Sequence, residues 1–393
     1  MQPAGWSVLE YRGRGALERL AADWKRLYSE MPLRTSAHAF EAHLAYFELL
    51  MAAPDRFRCL ALADGQEVRA VCPLEATVDH ILGPPVAVWS VPRLPHMRIQ
   101  DVICPEDEAR RELLPAIVDY LRKNPEGRRL LVLGPLSEDS VIWAGAEHLD
   151  PETRCVRPTE PSDVFDCTMS FDELMSRLSK HFRRNLRSHR NKLSSLPDLR
   201  FVRATQTRDL VRELESFMQV EASGWKGAGG TRLAVQLRPK HPAFYTTLGT
   251  TLGGGASSDR CEINALYADG RCIASQYCAR TGAQYVIHKI GYDETYRRLA
   301  PGLTLLERTL ERCCEDPTIE RLSLLTDGPW QRDWHPDVMP LRQEYFALGR
   351  WSGGPLTSML SFRLGRGGDF VRRSRTWSRR ARSAFDGAAA SAS

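Results

Sequence analysis

The sequence of 393 residues has no uninterrupted apolar run of the roughly 18 residues that a helix needs to cross a bilayer. Its first six residues, Met1-Gln-Pro-Ala-Gly-Trp6, lack the basic-then-apolar order of a secretory signal. Hydrophobic residues make up 42% and charged residues 26%, as in ordinary globular proteins. We therefore expect a cytoplasmic protein, and its length predicts two or three domains.

Common catalytic and metal-binding patterns are also missing. The sequence has 10 cysteines, but no two form C-x-x-C and no histidine spacing completes a zinc site. H-E-x-x-H, G-x-S-x-G and G-x-x-x-x-G-K-[ST] are absent, which argues against a zinc protease, a serine hydrolase and a P-loop NTPase. We expect no metal cofactor.

Positive charge is concentrated in two segments. Seven Lys or Arg and no acid lie between Arg177 and Lys192, and eight Arg with one acid lie between Arg363 and Arg382. Each segment carries +7, so the rest of a chain with a net charge of +5 carries −9. This distribution argues against a general nucleic-acid-binding protein. The first segment is either a solvated helix face or a site for phosphates, an anionic acceptor or RNA. The tail 363–385 either contacts an anionic membrane surface or packs on the body.

Hydrophobic periodicity predicts two similar halves. In the first half we predict helices over 15–31 and 36–52, a hairpin turning at Asp64-Gly65, strands near 86–91 and 99–103, a helix over 106–123 and a strand over 129–134. In the second half we predict a long helix over 171–193, helices over 207–223 and 241–252, a hairpin turning at Asp269-Gly270, a strand from 284, a helix over 303–314 and a strand from 321. The two Asp-Gly turns occupy equivalent places, which indicates an internal duplication.

These elements predict an α/β (α+β) fold with two domains, 1–160 and 161–362, joined near 158–163 and followed by an Arg-rich, partly disordered tail, 363–393. The order of an antiparallel meander followed by strand, loop, helix and strand resembles that of a GNAT acyltransferase domain. The resemblance implies tandem GNAT-like domains, each a mixed, mainly antiparallel sheet flanked by helices.

The loop 297–302 is the first candidate binding site. A helix that begins after such a loop offers unpaired N–H groups and the positive end of its dipole to a pyrophosphate. GNAT domains place a Q/R-x-x-G-x-G/A loop here to hold acyl-CoA, whereas this chain has Arg297-Arg-Leu-Ala-Pro-Gly302, with alanine at the first glycine. Alternatively, the proline only starts the helix. The resemblance implies an acyl-CoA donor, with acetyl-CoA as the leading candidate. The residues expected to hold it are Lys289, Ile290, Arg297, Arg298, Ala300, Pro301, Gly302 and Leu303.

Three further motifs resemble one GNAT group. Glu221-Ala-Ser-Gly-Trp-Lys-Gly-Ala-Gly-Gly-Thr231, Lys289-Ile-Gly-Tyr-Asp-Glu-Thr-Tyr296 and Ala300-Pro-Gly-Leu303 are similar to the CelD/BcsL group, which is associated with cellulose biosynthesis and related to Fem-type aminoacyl-tRNA-dependent transferases. Members carry an aromatic-Lys pair after the penultimate strand. This chain has Trp330-Gln331 there, so glutamine replaces a cation, which argues against an aminoacyl-tRNA donor.

Acyl transfer to an amine needs a base, donors for the thioester oxygen and an acid for the leaving thiolate. We predict Asp293 or His288 as the base, Tyr292 as the acid and Glu262 as a further candidate; the structural alternatives are a helix cap, a hydrogen-bonded histidine and a core tyrosine. Trp225 could stack on an acceptor and Lys226 could pair with its anionic group, with Trp330 and Gln331 nearby. The alternative is that the glycines around Trp225 only end a helix.

The sequence thus predicts an acyl-CoA-dependent N-acyltransferase that modifies a small-molecule or sugar acceptor, including envelope precursors. We expect it in the cytoplasm, at the inner membrane face if the tail binds lipid. Two alternatives are a Fem-type aminoacyl-tRNA-dependent transferase and a non-catalytic scaffold in polysaccharide or envelope biosynthesis.

Overall fold

The computed structural model describes residues 5–81, 84–105, 107–146, 149, 153–253 and 259–348. The basic tail and its predicted membrane contact therefore lie outside the described residues.

Both halves contain the same run of strand, two helices, three strands, helix and strand, to which α4 is added in the first half and α5 and α6 in the second. The first half contains β1 (Trp6–Arg12), α1 (Gly13–Glu30), α2 (Phe40–Leu49), β2 (Phe57–Asp64), β3 (Glu67–Asp79), β4 (Val86–Ser90), α3 (Asp107–Lys123), β5 (Leu130–Ser137), α4 (Val141–Ala146), β6 (Arg154–Pro158) and β7 (Ser162–Asp166). The second contains α5 (Phe171–Arg177), α6 (Lys180–Ser194), β8 (Arg200–Ala204), α7 (Thr207–Ser223), α8 (His241–Thr251), β9 (Arg260–Ala268), β10 (Arg271–Thr281), β11 (Gln284–Tyr292), α9 (Pro301–Glu315), β12 (Arg321–Ser323), β13 (Asp337–Met339) and β14 (Leu341–Ala347).

The described strands form two seven-stranded sheets with matching topology. One has the order β1-β2-β3-β4-β5-β14-β6, and the other has the order β8-β9-β10-β11-β12-β7-β13. The pairs β4–β5 and β11–β12 are parallel, and the other pairs are antiparallel. The predicted duplication and the mixed, mainly antiparallel sheets are confirmed.

The two halves exchange a strand with each other. β7 inserts between β12 and β13 of the second sheet, while β14 inserts between β5 and β6 of the first. The predicted second domain, 161–362, therefore includes one strand that belongs to the first sheet. The sequence of a strand cannot reveal this exchange, because a buried strand has the same apolar composition whichever of the two sheets it joins.

Two predicted elements differ from the structure. The helix predicted over 171–193 is two helices, because the Ser179 side chain accepts a hydrogen bond from the Phe182 N–H (3.1 Å) and starts α6 anew. The strand predicted near 99–103 is reduced to a single bridge, in which Ile103 and Val71 exchange backbone hydrogen bonds of 2.9 Å.

A common hydrophobic core joins the halves. It takes Leu17, Trp24 and Phe47 from the first half and Phe217 and Phe244 from the second, all buried. Helix α2 packs against α8 across this core. The surface where the halves meet is therefore held in a fixed geometry.

The described segments contain no helix long and apolar enough to cross a membrane. The same segments contain no group of three or more His, Cys, Asp or Glu side chains placed to hold a metal ion.

Candidate functional site

A cavity of about 650 Å³ opens where β11 leaves its neighbour β12. Most of its wall comes from the second half, and His96 is contributed by the first. It is lined by His96, Glu221, Gly224, Trp225, Lys226, Leu233, Arg238, Ile287, His288, Lys289, Ile290, Gly291, Tyr292, Glu294, Arg297, Ala300, Gly302, Leu303, Leu324, Thr326, Trp330 and Gln331.

The cavity exists because β11 is paired over its whole length on one side only. It pairs with β10 from Gln284 to Tyr292, but with β12 only from Gln284 to Val286. Between Ile287 and Tyr292, the backbone edge on the β12 side has no strand partner among the described residues. A β-bulge at His288, where the register with β10 shifts, bends the strand at this point. An extended ligand can therefore hydrogen-bond to this edge as an added strand would.

The N-terminus of α9 forms a second wall. Ala300 precedes the helix in a left-handed conformation (φ 50°, ψ 52°), and Pro301 occupies the first helical position. A Cβ added to Gly302 would meet only Tyr292, at 3.7 Å, so the backbone here is open to an incoming group. Arg297 lines the cavity beside this N-terminus, whereas Arg298 and Pro301 do not. A helix N-terminus beside an arginine suits a phosphate or another anion.

A buried carboxylate organises the wall opposite α9. Glu221 forms ion pairs with Lys289 and with Lys226 (3.7 Å), and its Oε2 accepts a hydrogen bond from the Val235 N–H at 2.8 Å. The Lys226 ammonium also donates to the Ile290 carbonyl at 2.8 Å. Burial lowers the pKa of both lysines, and the charge of Glu221 opposes that shift. Lys226 therefore fixes the end of β11, a contact that differs from its predicted pairing with an acceptor.

His288, a predicted base, links the two halves. Its Nδ1 lies 3.0 Å from the His96 carbonyl, which can only accept, so Nδ1 carries the proton. Nε2 then accepts a hydrogen bond from the Ser36 hydroxyl at 3.0 Å. Burial lowers the pKa of His288 to about 4, so the ring is neutral at pH 7. Because both ring nitrogens are engaged, the geometry does not favour His288 as the base.

His96 was not identified from the sequence, yet it lines the cavity from the opposite half. Its backbone is left-handed (φ 57°), and its Nδ1 is hydrogen-bonded to the buried Tyr245 hydroxyl. No other acceptor lies within hydrogen-bond distance of that hydroxyl among the described residues, so Tyr245 donates to Nδ1 and Nε2 carries the proton. Burial, followed by the charges of Lys289 and Arg238, lowers the pKa of His96. His96 is thus a neutral N–H donor.

The other two predicted bases are held away from the cavity wall. Asp293 caps the 3-10 turn 294–299, with its Oδ1 accepting from the Thr295 N–H (2.9 Å) and hydroxyl (2.7 Å). Glu262 is buried and accepts hydrogen bonds of 2.7 to 3.1 Å from Arg203, Arg260 and Tyr285. Burial alone would raise the pKa of Glu262, but the hydrogen bond from Arg203 and the surrounding arginines lower it instead. These contacts do not favour either carboxylate as the base, because neither lines the cavity.

The role of Asp293 can be tested directly. Asp293→Ala should lower the free energy of unfolding by about 1 kcal/mol, the usual cost of losing a capping side chain, while kcat of the folded enzyme stays nearly unchanged. Asp293→Ser keeps a capping oxygen and should restore most of the stability. Urea unfolding and steady-state kinetics on the same preparations measure both. A large loss of kcat in both variants would return Asp293 to the chemistry.

The rim of the cavity is aromatic. Trp225 and Trp330 are 56% and 43% exposed, and the Trp225 N–H donates to Glu294 at 2.9 Å. Gln331, in contrast, is buried; it accepts from the Gly328 N–H and donates to the Thr326 hydroxyl at 3.1 Å. Gln331 is therefore a neutral side chain whose hydrogen bonds are made within its own loop.

Residues 180–344 match the family model described as Acetyltransferase (GNAT) domain. The match spans 165 of the 393 residues, and over this range the chain is similar to a GNAT acetyltransferase domain. The match covers β11, the loop after it and α9, so the cavity wall that carries most of the predicted site belongs to this domain. The protein is accordingly an acyltransferase, and the predicted enzyme class is confirmed.

Solved structures share the fold over most of the chain. The C-terminal DUF2156 domain of a putative lysylphosphatidylglycerol synthetase from Agrobacterium fabrum has a TM-score of 0.52 at 10% identity, covering 87% of this chain and 97% of that one. L-PGS from Bacillus licheniformis has a TM-score of 0.52 at 11% identity, covering 87% and 96%. A conserved protein of unknown function from Bacteroides thetaiotaomicron has a TM-score of 0.50 at 13% identity, covering 83% and 97%. At these identities the likeness shows the fold alone. No curated protein matches the sequence.

The GNAT domain brings together most, but not all, of the predicted site. Twelve predicted residues line the cavity: Trp225, Lys226, His288, Lys289, Ile290, Tyr292, Arg297, Ala300, Gly302, Leu303, Trp330 and Gln331. Sequence reasoning missed Glu221, His96 and Arg238 as site residues. Glu221 opens a motif that had already been noticed, and an acid that starts a glycine-rich segment could have indicated it. His96 and Arg238 lie in segments without a recognisable pattern.

Proposed function

We propose that the protein is an acyl-CoA-dependent N-acyltransferase that transfers an acyl group to an amine of a small-molecule or sugar acceptor. The acetyl group is the leading candidate for the transferred group. The observation that carries this proposal is one cavity that combines an unpaired strand edge with an open helix N-terminus. The edge of β11 from Ile287 to Tyr292 suits the amide-bearing arm of the donor, and the N-terminus of α9 suits its pyrophosphate. GNAT acyltransferases use acyl-CoA donors, which agrees with this fit.

The donor is assigned to the second half because both features that suit it lie there. These are the unpaired edge of β11 from Ile287 to Tyr292 and the open N-terminus of α9 at Gly302.

The residues around the β11 edge supply the groups that acyl transfer needs. A bound donor provides a thioester carbon, which the amine attacks as the C–S bond breaks. The backbone N–H groups of the unpaired edge and the Nε2–H of His96 are the donors available to the carbonyl oxygen as it gains charge. Tyr292, the last residue of β11, lines the cavity, and its ring lies 3.7 Å from the Cβ position of Gly302; its hydroxyl is available to protonate the thiolate. Lys289 and Lys226 share the single carboxylate of Glu221, so these three ionised groups together carry one excess positive charge.

A Fem-type reaction with an aminoacyl-tRNA donor is the second candidate. The exposed cations of α6 favour it: Lys180, Arg184 and Arg187 have no carboxylate within 4 Å among the described residues, and α6 packs beside the turn 294–299. The neutral, fully engaged Gln331 counts against it.

The main proposal also includes membership of the CelD/BcsL group and a cytoplasmic location.

Donor titration separates the candidates. Acetyl-CoA should raise the melting temperature in a concentration-dependent way, since binding to the native state stabilises it by mass action. CoA should do the same, and an aminoacyl-tRNA at equal concentration should not. Stabilisation by aminoacyl-tRNA with no response to any acyl-CoA would replace the proposal with the Fem-type reaction. No response to either donor would overturn both.

A further inference from the structure

A second cavity, of about 510 Å³, lies between the two halves beside the first. The first half contributes Tyr46 on α2 and Arg93 and His96 on the loop after β4, and the second contributes Arg238, Lys240 and His241 at the start of α8. The proposed donor contacts none of the residues that line only this second cavity. The donor therefore leaves this cavity free for another ligand.

The charged groups that line this second cavity are all cationic. Arg238 and Lys240 have no carboxylate within 4 Å among the described residues, and Arg93 has only a loose pair with Asp79 at 3.6 Å. The donor cavity differs, because two carboxylates, Glu221 and Glu294, are part of its wall. The positive charge of Arg238 and Lys240, which no carboxylate of the described residues pairs with, favours an anionic ligand.

The local backbone adds to this charge. Helix α8 runs for 11 residues from His241 to Thr251, so the positive end of its dipole lies at the second cavity. Lys240 precedes it in a left-handed conformation (φ 62°), which fixes the position at which the chain enters the helix. Burial lowers the pKa of His241, and the charges of Arg238 and Lys289 lower it further. This second effect is the one expected beside an excess of positive charge.

The two cavities meet at His96 and Arg238, which line both. A molecule held in the second cavity therefore has one end at the wall of the donor cavity. His96 and Arg238 are therefore side chains that a ligand in either cavity can contact. An acceptor held in the second cavity can reach the donor cavity at this junction.

We propose that the second cavity binds an anionic group of the acceptor, a carboxylate or a phosphate monoester, through Arg238 and Lys240, and that this contact directs the acceptor amine to the junction at His96. The inference rests on the proposed function and narrows its substrate class to amines that carry an anion. Arginine and lysine together suit both anions, since arginine binds oxyanions bidentately and lysine adds a mobile charge.

Matched pairs of amines test the proposal. With acetyl-CoA as donor, release of the CoA thiol is followed for glucosamine 6-phosphate against glucosamine and for glycine against glycinamide. We expect kcat/KM to be at least about tenfold higher for the anionic member of one pair, as for one lost charge-assisted contact. The pair that shows the difference identifies phosphate or carboxylate. Equal rates within both pairs would overturn the proposal.

Variants locate the anion. Arg238→Gln and, independently, the exposed Lys240→Gln should remove the preference for the anionic amine. Because Lys240 lines the second cavity alone, Lys240→Gln should also leave the KM for acetyl-CoA unchanged. Arg271→Gln, an exposed arginine on the hairpin of β10, is the matched control and should keep the preference. Retention of the preference in both cavity variants, with normal melting temperatures, would place the anion elsewhere and refute the assignment.

A binding measurement keeps this test separate from the donor proposal. Inorganic phosphate should raise the melting temperature of the wild-type protein more than chloride at equal ionic strength, and less in Arg238→Gln than in Arg271→Gln. This effect does not need acetyl-CoA to bind. Phosphate protection that is lost in Arg238→Gln, without an acetyl-CoA response, would refute the donor and keep the anion site. An acetyl-CoA response without Arg238-dependent phosphate protection or amine preference would refute the anion site alone.

Discussion

Gly302→Asp should abolish the binding of acetyl-CoA while the protein stays folded. The Cβ position at Gly302 has no neighbour closer than Tyr292, at 3.7 Å, so the new side chain fits into the cavity. Its carboxylate then occupies the N-terminus of α9, where it gains from the helix dipole and repels a phosphate at the same point. We expect the acetyl-CoA-induced rise in melting temperature to disappear, together with activity.

Two variants control for this effect. Gly15→Asp places the same charge in the first turn of α1, at an exposed glycine with nothing within 4 Å of its Cβ position, and should leave acetyl-CoA binding unchanged. Gly302→Ala adds bulk without charge and should weaken binding less than Gly302→Asp does. If Gly302→Asp binds acetyl-CoA as the wild type does, the donor does not reach α9 and the proposed donor site is wrong.

Local sequence signals were sufficient for most of the fold. The Asp-Gly turns located both hairpins because such a pair adopts tight-turn conformations easily: Gly65 and Gly270 have φ of 60° and 70°. The apolar stripe of α1 predicted its buried face, with Leu17, Leu20 and Trp24 all inside the core. These features depend on residues close together in the chain, so a single sequence contains them.

Features that depend on distant segments were not accessible in this way. The exchange of β7 and β14 between sheets needs the relative placement of the two halves, which no short pattern encodes. The candidate site has the same division. Gly302 and Lys289 follow from a local motif, whereas His96 lies 192 residues before His288, which it contacts. The spacing of Asp293 suited a base, but in the structure its carboxylate accepts a hydrogen bond from Thr295, two residues later, and caps the turn.

His96→Gly should lower kcat by about 10² to 10³, the usual worth of one donor to a developing oxyanion, with little change in the KM for acetyl-CoA. Glycine tolerates the left-handed backbone of this position (φ 57°), and it keeps the carbonyl that accepts the His288 hydrogen bond (3.0 Å). The substitution thus removes the imidazole while preserving the link between the halves.

His96→Asn is the matched variant, because asparagine also tolerates this backbone and retains an N–H donor; it should recover part of the lost rate. The pH profile then distinguishes a donor from a base. Because the pKa of His96 is lowered by burial and nearby cations, the ring remains neutral down through pH 6.5, and kcat should show no acid limb there. An acid limb near pH 6.5 that disappears in His96→Asn would instead make His96 the base, and an unchanged kcat in His96→Gly would remove it from the chemistry.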